Sequence, residues 1–365
     1  MATHRYWRLY YLSNGGTDDY ASMQEIELRD TASGSDLTGS GTASASYYAD
    51  GAAANLVDNN ASTHWGAYSQ VNENAKIWWA YDFGAGNAYD IIEIAITSRA
   101  TYFYESPSIF FWQYSDDGSA WYNAAFISGI SWTSQCTQVI DVSPNITATD
   151  YDDDFTGADS SSPNTDKWTL TNSPDIQSNT VEITHDGTEE AITSKYTFSG
   201  DYCVLIDFNI PSPPATESYG CELRATIDST HLMLISASRY GGGNKFTYSY
   251  YNGGGETYNS VARSNSSGKL MAIRSGNNFS VYKVDGSGSD FVNIGPSVAI
   301  GSGTVTIKIA NKQWDTNPTI TCQYDNYKII GVTILWTPAE MVSLSVVDEA
   351  AWVANAANYR PFLIF

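Results

Sequence analysis

The sequence predicts an all-β protein: two tandem antiparallel β-sandwiches of the jelly-roll type, followed by a short C-terminal tail. Three observations carry this. Apolar or alternating runs of strand length recur from end to end, broken by Gly, Asn, Asp and Ser turns. The composition, with 26 Tyr, 11 Trp and 29 Gly but only 16% charged residues, suits sandwiches with polar loops. Helical periodicity is confined to "VVDEAAWVANAANY" near the C-terminus. There Val347, Ala350, Ala351, Ala354 and Ala357 recur at helical spacing and Asp348 is placed to cap the start. A length of 365 residues exceeds what one compact domain usually holds, which points to two.

Along the chain, the expected strands include "RYWRLYYL", "KIWWAYDF", "IIEIAITS" and "IFFWQYS" in the first half. "YCVLIDFNI", "CELRATID", "KFTYSYY", "FSVYKV", "VTIKIA" and "ITCQYDNYKIIGV" follow in the second. Trp65, Trp78, Trp112 and Trp121 are expected mostly in the core, as strand aromatics usually are. "DVSPNITATDYDDDF" marks the best boundary, where Pro144 and an acidic run precede a new strand pattern. The expected units are residues 1–143, a linker over 144–152, a second sandwich over 153–334, and an apolar docking tail over 335–365 ending in "RPFLIF". An apolar end of this kind is covered either by its own domain or by a partner.

The net charge of −22 argues against partners with phosphate backbones and against anionic membranes. It fits neutral ligands, cations, or a charged soluble surface. No run is long and apolar enough to span a bilayer, and no secretory leader is recognised at the start, so synthesis in a cytoplasm is expected. Sequons at Asn60, Asn145, Asn265 and Asn278 are then chance matches. Cys136, Cys203, Cys221 and Cys322 are too scattered for a disulfide scaffold. Strand parity turns Cys221 inward and Cys203 outward, which disfavours their pairing and leaves buried free thiols as the expectation. His4, His64, His185 and His231 show no zinc-pair spacing.

"DNNASTHW" (Asp58–Trp65) concentrates oxygen donors in one loop: the Asp58 carboxylate, the Asn60 carboxamide, the Thr63 hydroxyl and carbonyls near Asn55. Hard cations take such ligands, and an Asx-turn uses the same side chains. Residues 5–142 resemble the discoidin family, which includes many family 32 carbohydrate-binding modules. The landmarks occur in the family's order: "RYWRLYYL", "MQEIELRD", "AAANLVDNNASTHW", "KIWWAYDFGAG", "IIEIAITSR" and "SPSIFFWQYSDDGSAW". The resemblance implies a structural Ca²⁺ on Asp58, Asn60, Thr63 and Asn55. Asn60 stands where many calcium-binding members have Asp, which weakens the site, so calcium loop and Asx-turn both stay open. It also implies ligands at the loop end, with Arg99 as the ligand-facing base. Tyr102, Phe103 and Tyr104, together with Tyr20 and Tyr68, would supply rings that stack on sugars or pack on a neighbour.

Residues 152–334 resemble concanavalin A-like (laminin G-like) jelly rolls, through "DDDFTGADSSSPNTDKW" at the start and "CQYDNYKIIGV" at the close. Glycosidase relatives of that fold carry a Glu-x-Asp-x-x-Glu run, which does not occur here. Glu189 and Glu190 are adjacent and so face opposite ways, and Glu222 and Asp228 are expected far apart on one outward face. The expectation is therefore a protein without catalysis. "YGGGNK", "NGGGET" and "GSGSDF" read as turns between strands rather than phosphate loops. Tandem sandwiches with acidic surfaces and Tyr-rich loops resemble virion surface proteins of tailed bacteriophages. That resemblance implies a multi-copy fibre, tail or capsid-decoration protein on the virion surface that binds host or environmental glycans. The tail would join other virion proteins. A purely structural connector without ligand is the second reading, and a glycan-degrading enzyme the third.

Overall fold

The computed structural model describes residues 3–16, 20–47, 50–68, 77–144, 151–185, 188–215, 218–240, 242–288, 290–313, 319–331 and 333–335. The late helical pattern and nearly all of the expected tail fall outside these residues. The described chain is all-β, with every strand pair antiparallel and only two short 3-10 turns, Ala53–Val57 and Phe103–Glu105. Among the described residues no helix is long and apolar enough to cross a membrane.

The first half builds a five-stranded sheet in the order Thr42–Ala45, Trp78–Asp82, Tyr6–Asn14, Pro107–Ser115, Tyr122–Ile127. It faces a three-stranded sheet of Thr137–Asp141, Glu93–Thr97 and Glu25–Arg29. A separate ribbon pairs Tyr20–Met23 with Trp65–Tyr68. Alternation selects the core. Trp7, Leu9 and Tyr11 from one strand meet Phe110 and Trp112 from the next, and Ile26, Leu28, Ile94 and Ile96 close from the opposite sheet. Trp7 and Trp112 stack with centroids 5.6 Å apart.

The second half builds a seven-stranded sheet in the order Trp168–Thr171, Glu190–Ser194, Thr306–Gln313, Tyr219–Asp228, His231–Tyr240, Gly243–Asn252, Thr257–Ala262. Its partner sheet runs Asp175–Gln177, Thr180–His185, Ile320–Ile330, Tyr202–Asn209, Ser267–Ser275, Asn278–Asp285, Val292–Asn293, with Val298–Ala299 also paired to Asn278–Asp285. Val204, Ile206 and Phe208 pack inward against Leu223, Ile235 and Ile309.

Several strands are buried on both faces. Tyr10 and Leu12 point away from the first core, yet they are 1% and 2% exposed. With Ile109, Phe111 and Phe126 they pack on Cys203, Met271, Ile273, Tyr282 and Val284 of the second sandwich. Two hydroxyls cross this interface: Tyr10 donates to the Phe291 carbonyl (3.1 Å) and Tyr282 donates to the Leu12 carbonyl (3.0 Å). The molecule is thus a four-layer stack, in which the five-stranded sheet of the first sandwich lies on the Tyr202–Asn209 sheet of the second.

Three expectations need correction. Cys221 and Cys322 are not free thiols: they form a disulfide between the two sheets of the second sandwich. Both inward parities bring them together across the core. Cys203, by contrast, is the buried free thiol on the outward face that parity predicts, covered there by the first sandwich. Trp65 and Trp112 are core residues, whereas Trp78 and Trp121 lie on the interface side of their sheet. Glu222 is on the face away from the second core but is buried, 1% exposed, and ion-paired with Arg224 (2.5 Å).

Candidate functional site

The loop end of the first sandwich gathers most of the sequence-selected residues. The Asp58–Trp65 loop closes on itself. Asp58 Oδ1 accepts the Asn60 amide (2.9 Å), and the Asn60 side-chain oxygen accepts the Ser62 amide (3.1 Å). The Thr63 hydroxyl donates to the Asp58 carboxylate (3.0 Å) and to the Asn60 carbonyl (2.7 Å). These are nested Asx-turns, which Asp and Asn form readily. Asn59 takes a positive φ of 55°, where Asn is tolerated. Gly51 is required beside the loop. Its φ is +77°, and a Cβ there would lie 1.9 Å from the His64 carbonyl oxygen.

Asp58, Asn60 and Thr63 share one small volume, and the Asn55 side-chain amide braces the loop by donating to the His64 carbonyl (2.9 Å). A residue outside the expected set joins them. Glu25, at the start of Glu25–Arg29, carries a buried Oε1 with no hydrogen-bond partner. Burial, then the nearby Asp58 charge, pushes its carboxyl up to about 7. Two carboxylates, a carboxamide carbonyl and a hydroxyl are a hard-cation donor set, and a divalent ion would relieve the Glu25–Asp58 repulsion. The residues present therefore fit calcium.

Arg99 sits next to this loop. Its guanidinium reaches Asp50 (3.4 Å) and Glu105 (3.7 Å), and it lies 5.0 Å from the centroid of the Tyr102 ring. Asp50 also binds His64 Nε2 (2.7 Å), and the His64 and Arg99 side chains hold its carboxyl below the usual carboxylate range. Glu105 is 4% exposed and accepts the Ser22 hydroxyl (2.6 Å), so Arg99 is anchored from below. A groove of about 180 Å³ runs here, lined by Gln24, Ser62, Thr63, His64, Arg99 and Thr101.

The five aromatic candidates separate. Tyr102 is 41% exposed and stands edge-on to Tyr104 at 6.2 Å. Phe103 instead packs on the first core, and Tyr104 lies against Gly16, where a Cβ would meet its ring at 2.8 Å. Both follow from the Phe103–Glu105 turn, which sends consecutive side chains different ways. Tyr20 is 42% exposed, on the ribbon strand whose register sets it opposite Tyr68. The Tyr68 side chain, like the whole 69–76 stretch, lies outside the described residues. Asp50, His64, Gln24, Glu25 and Glu105 were missed as partners in this site. Only "MQEIELRD" carried a hint, since two polar residues open an otherwise alternating strand.

A second concavity, of about 430 Å³, opens where the two sandwiches part. One wall carries Gln113, Tyr114, Trp121, Tyr122 and Asn123, and the other carries Asp207, Lys269, Asn326 and Lys328. Among the described residues no group of three or more His, Cys, Asp or Glu side chains is placed to hold a metal.

No family model and no curated protein matches the chain. Solved structures do match, over 45% to 66% of it. A glycosyl hydrolase family protein from Mycobacterium fortuitum is 12% identical over 50% of this chain and 100% of that one, with a TM-score of 0.39. The VIP36 exoplasmic/lumenal domain, in a Ca²⁺/Man3GlcNAc-bound form, is 14% identical over 48% of this chain and 88% of that one, with a TM-score of 0.38. The carbohydrate-binding module CBM66 from Bacillus subtilis is 16% identical over 45% of this chain and 96% of that one, with a TM-score of 0.33. Carbohydrate-binding β-sandwiches are thus among the similar structures. The expected absence of catalysis is corrected by the same finding. Glycosyl hydrolase family proteins stand in this group too, so the fold class does not separate glycan binding from glycan hydrolysis.

Proposed function

We propose that the chain is a carbohydrate-binding protein that takes glycans at the loop end of its first, discoidin-like sandwich. The observation that carries this is Arg99. Its guanidinium is fixed by Asp50 and Glu105 beside the exposed Tyr102 ring, at a groove rimmed by hydroxyls and a carboxamide. An aromatic face stacks on the apolar face of a sugar ring, and a fixed guanidinium donates to its hydroxyls. A structural Ca²⁺ held by Asp58, Asn60, Thr63 and Glu25 would stiffen the adjacent loop. Display on a tailed-phage virion, in several copies and anchored to other virion proteins through residues 335–365, completes the reading. Tandem sandwiches, the acid-rich composition and the apolar "RPFLIF" end support it.

The test is binding of the full chain to a glycan array. Arg99→Ala and Tyr102→Ala should each weaken binding about tenfold or more, equivalent to ~1.4 kcal/mol. Retained affinity in both variants, with circular dichroism unchanged, sinks the site. Reducing-sugar release followed in the same samples distinguishes hydrolysis from binding. Absence of the chain from purified particles by antibody labelling would rule out virion display.

A further inference from the structure

The geometry points to a second sugar-binding site, in the cleft between the two sandwiches, that takes a short neutral oligosaccharide. Four observations build it.

The cleft begins where the apolar interface stops. Tyr10, Leu12 and Phe111 seal against Met271, Ile273 and Tyr282. One step further along the same strands the contact residues become Gln113 and Asn123 on one side and Asp207 and Asn326 on the other.

Both walls are bulged at the cleft. Trp112 pairs with Ala125 but Gln113 pairs with Asn123, so Ala124 is an extra residue. Across the gap, Leu205 pairs with Lys328 but Asp207 pairs with Asp325, which leaves an extra residue at Asn326–Tyr327. Asn326 takes a φ of +52° inside a long strand. Bulges re-aim side chains, and a positive φ at a non-glycine in a strand carries a cost. Here the pair of bulges aims Asn123 and Asn326 into one space.

The polar groups are held in place from behind. Arg8 is 4% exposed, and its Nε donates to Gln113 Oε1 (2.5 Å), whose Nε2 donates to Asn123 Oδ1 (2.6 Å). Asn123 is therefore oriented with its own amide free to donate onward. On the other wall Asp207 accepts Lys269 (2.5 Å) and the Asn326 amide (3.1 Å). Oriented amides and a carboxylate match the mixed donor and acceptor hydroxyls of a sugar.

A ring stands at the rim. Trp121 is on the same face of its sheet as Gln113 and Asn123 and is fixed by the Arg8 guanidinium 4.3 Å from its ring. It offers a sugar-stacking face on the first wall, while the second wall mixes Asp207, Lys269, Asn326 and Lys328 with Leu205, Phe291 and Ile330. Lys269 is paired with Asp207, and Lys328 is the one further charged side chain of the lining, too little to select an acidic sugar, which is why the ligand is assigned as neutral.

The test uses the full chain, a panel of neutral trisaccharides (maltotriose, chitotriose, xylotriose) and a uronic-acid trisaccharide, with tryptophan fluorescence and calorimetric stoichiometry as readouts. A neutral trisaccharide should shift Trp emission. Asn123→Ala and Asn326→Gly, the second of which keeps the positive φ, should each weaken that shift about tenfold. Arg99→Ala should leave the cleft signal intact, so failure of the loop-end site and failure of the cleft are distinguishable. Binding of the uronic-acid sugar alone overturns the neutral assignment. No Trp shift with any sugar, or a shift indifferent to both cleft variants, overturns the site.

Discussion

At the scale of single residues, Glu25 and Asp58 illustrate how little of the loop-end chemistry lay in the motif itself. "DNNASTHW" displayed Asp58, Asn60 and Thr63, but Glu25 comes from a strand 33 positions earlier, and only the fold brings it there. Because its folded carboxyl titrates near 7 rather than near 4.5, the folded protein holds more protons than the unfolded chain between those values. The contribution of Glu25 to stability should therefore be fully present below the ordinary glutamate range and be lost as pH rises through about 7. Thermal melts from pH 4 to 8 in a chelator should show this slope, and Glu25→Gln should flatten it. Calcium added at pH 7.5 should raise the melting temperature of the native chain and not of Glu25→Gln. Equal calcium response in both would remove Glu25 from the site. Gly51 is a second such residue. Gly51→Ala is expected to cost about 1–3 kcal/mol in urea unfolding, since its φ of +77° and the His64 carbonyl both oppose a Cβ.

At the scale of elements, alternation was a sound guide to the strands, and it held a further message. "RYWRLYYL" and "YCVLIDF" are apolar at both parities, the pattern of strands covered on two faces. They read simply as strands, and what covered their outer faces went unnamed because the partner lies some 190 positions away along the chain. The disulfide escaped for the same reason. Cys221 inward was legible, but Cys322 becomes its neighbour only when Tyr219–Asp228 and Ile320–Ile330 face each other across the core. The bridge spans a sequence separation of 101 residues. Replacing both cysteines by Ala, or reducing the bond, should lower unfolding free energy by about 3–5 kcal/mol, as loop closure of this length implies. Urea curves with and without reductant measure it, and coincident midpoints would show that the bond is not formed in solution.

At the scale of the whole molecule, the interface makes two sandwiches into one unfolding unit. Calorimetry of the native chain should show a single transition. Phe111 is fully buried between the sandwiches, so Phe111→Ala should cost about 3–5 kcal/mol and separate the trace into two steps. Two transitions already in the native chain would mean that the sandwiches are only loosely joined. Cleft ligands should raise the stability of the joined state, because they touch both halves, whereas loop-end ligands should act on the first sandwich alone.

The doubly buried strand Tyr6–Asn14 also bears on synthesis. It leaves the ribosome well before the Cys203, Met271 and Tyr282 surface that must cover Tyr10 and Leu12, which lies some 190 or more positions later. For that interval the newborn first sandwich carries an apolar flank open to any neighbour, including the same flank on a sister chain. Nascent chains stalled before residue 200 should accordingly recruit holdase chaperones or pair with one another, and charges set at Tyr10 and Phe111 should abolish that stickiness while leaving the completed protein with nothing to dock against.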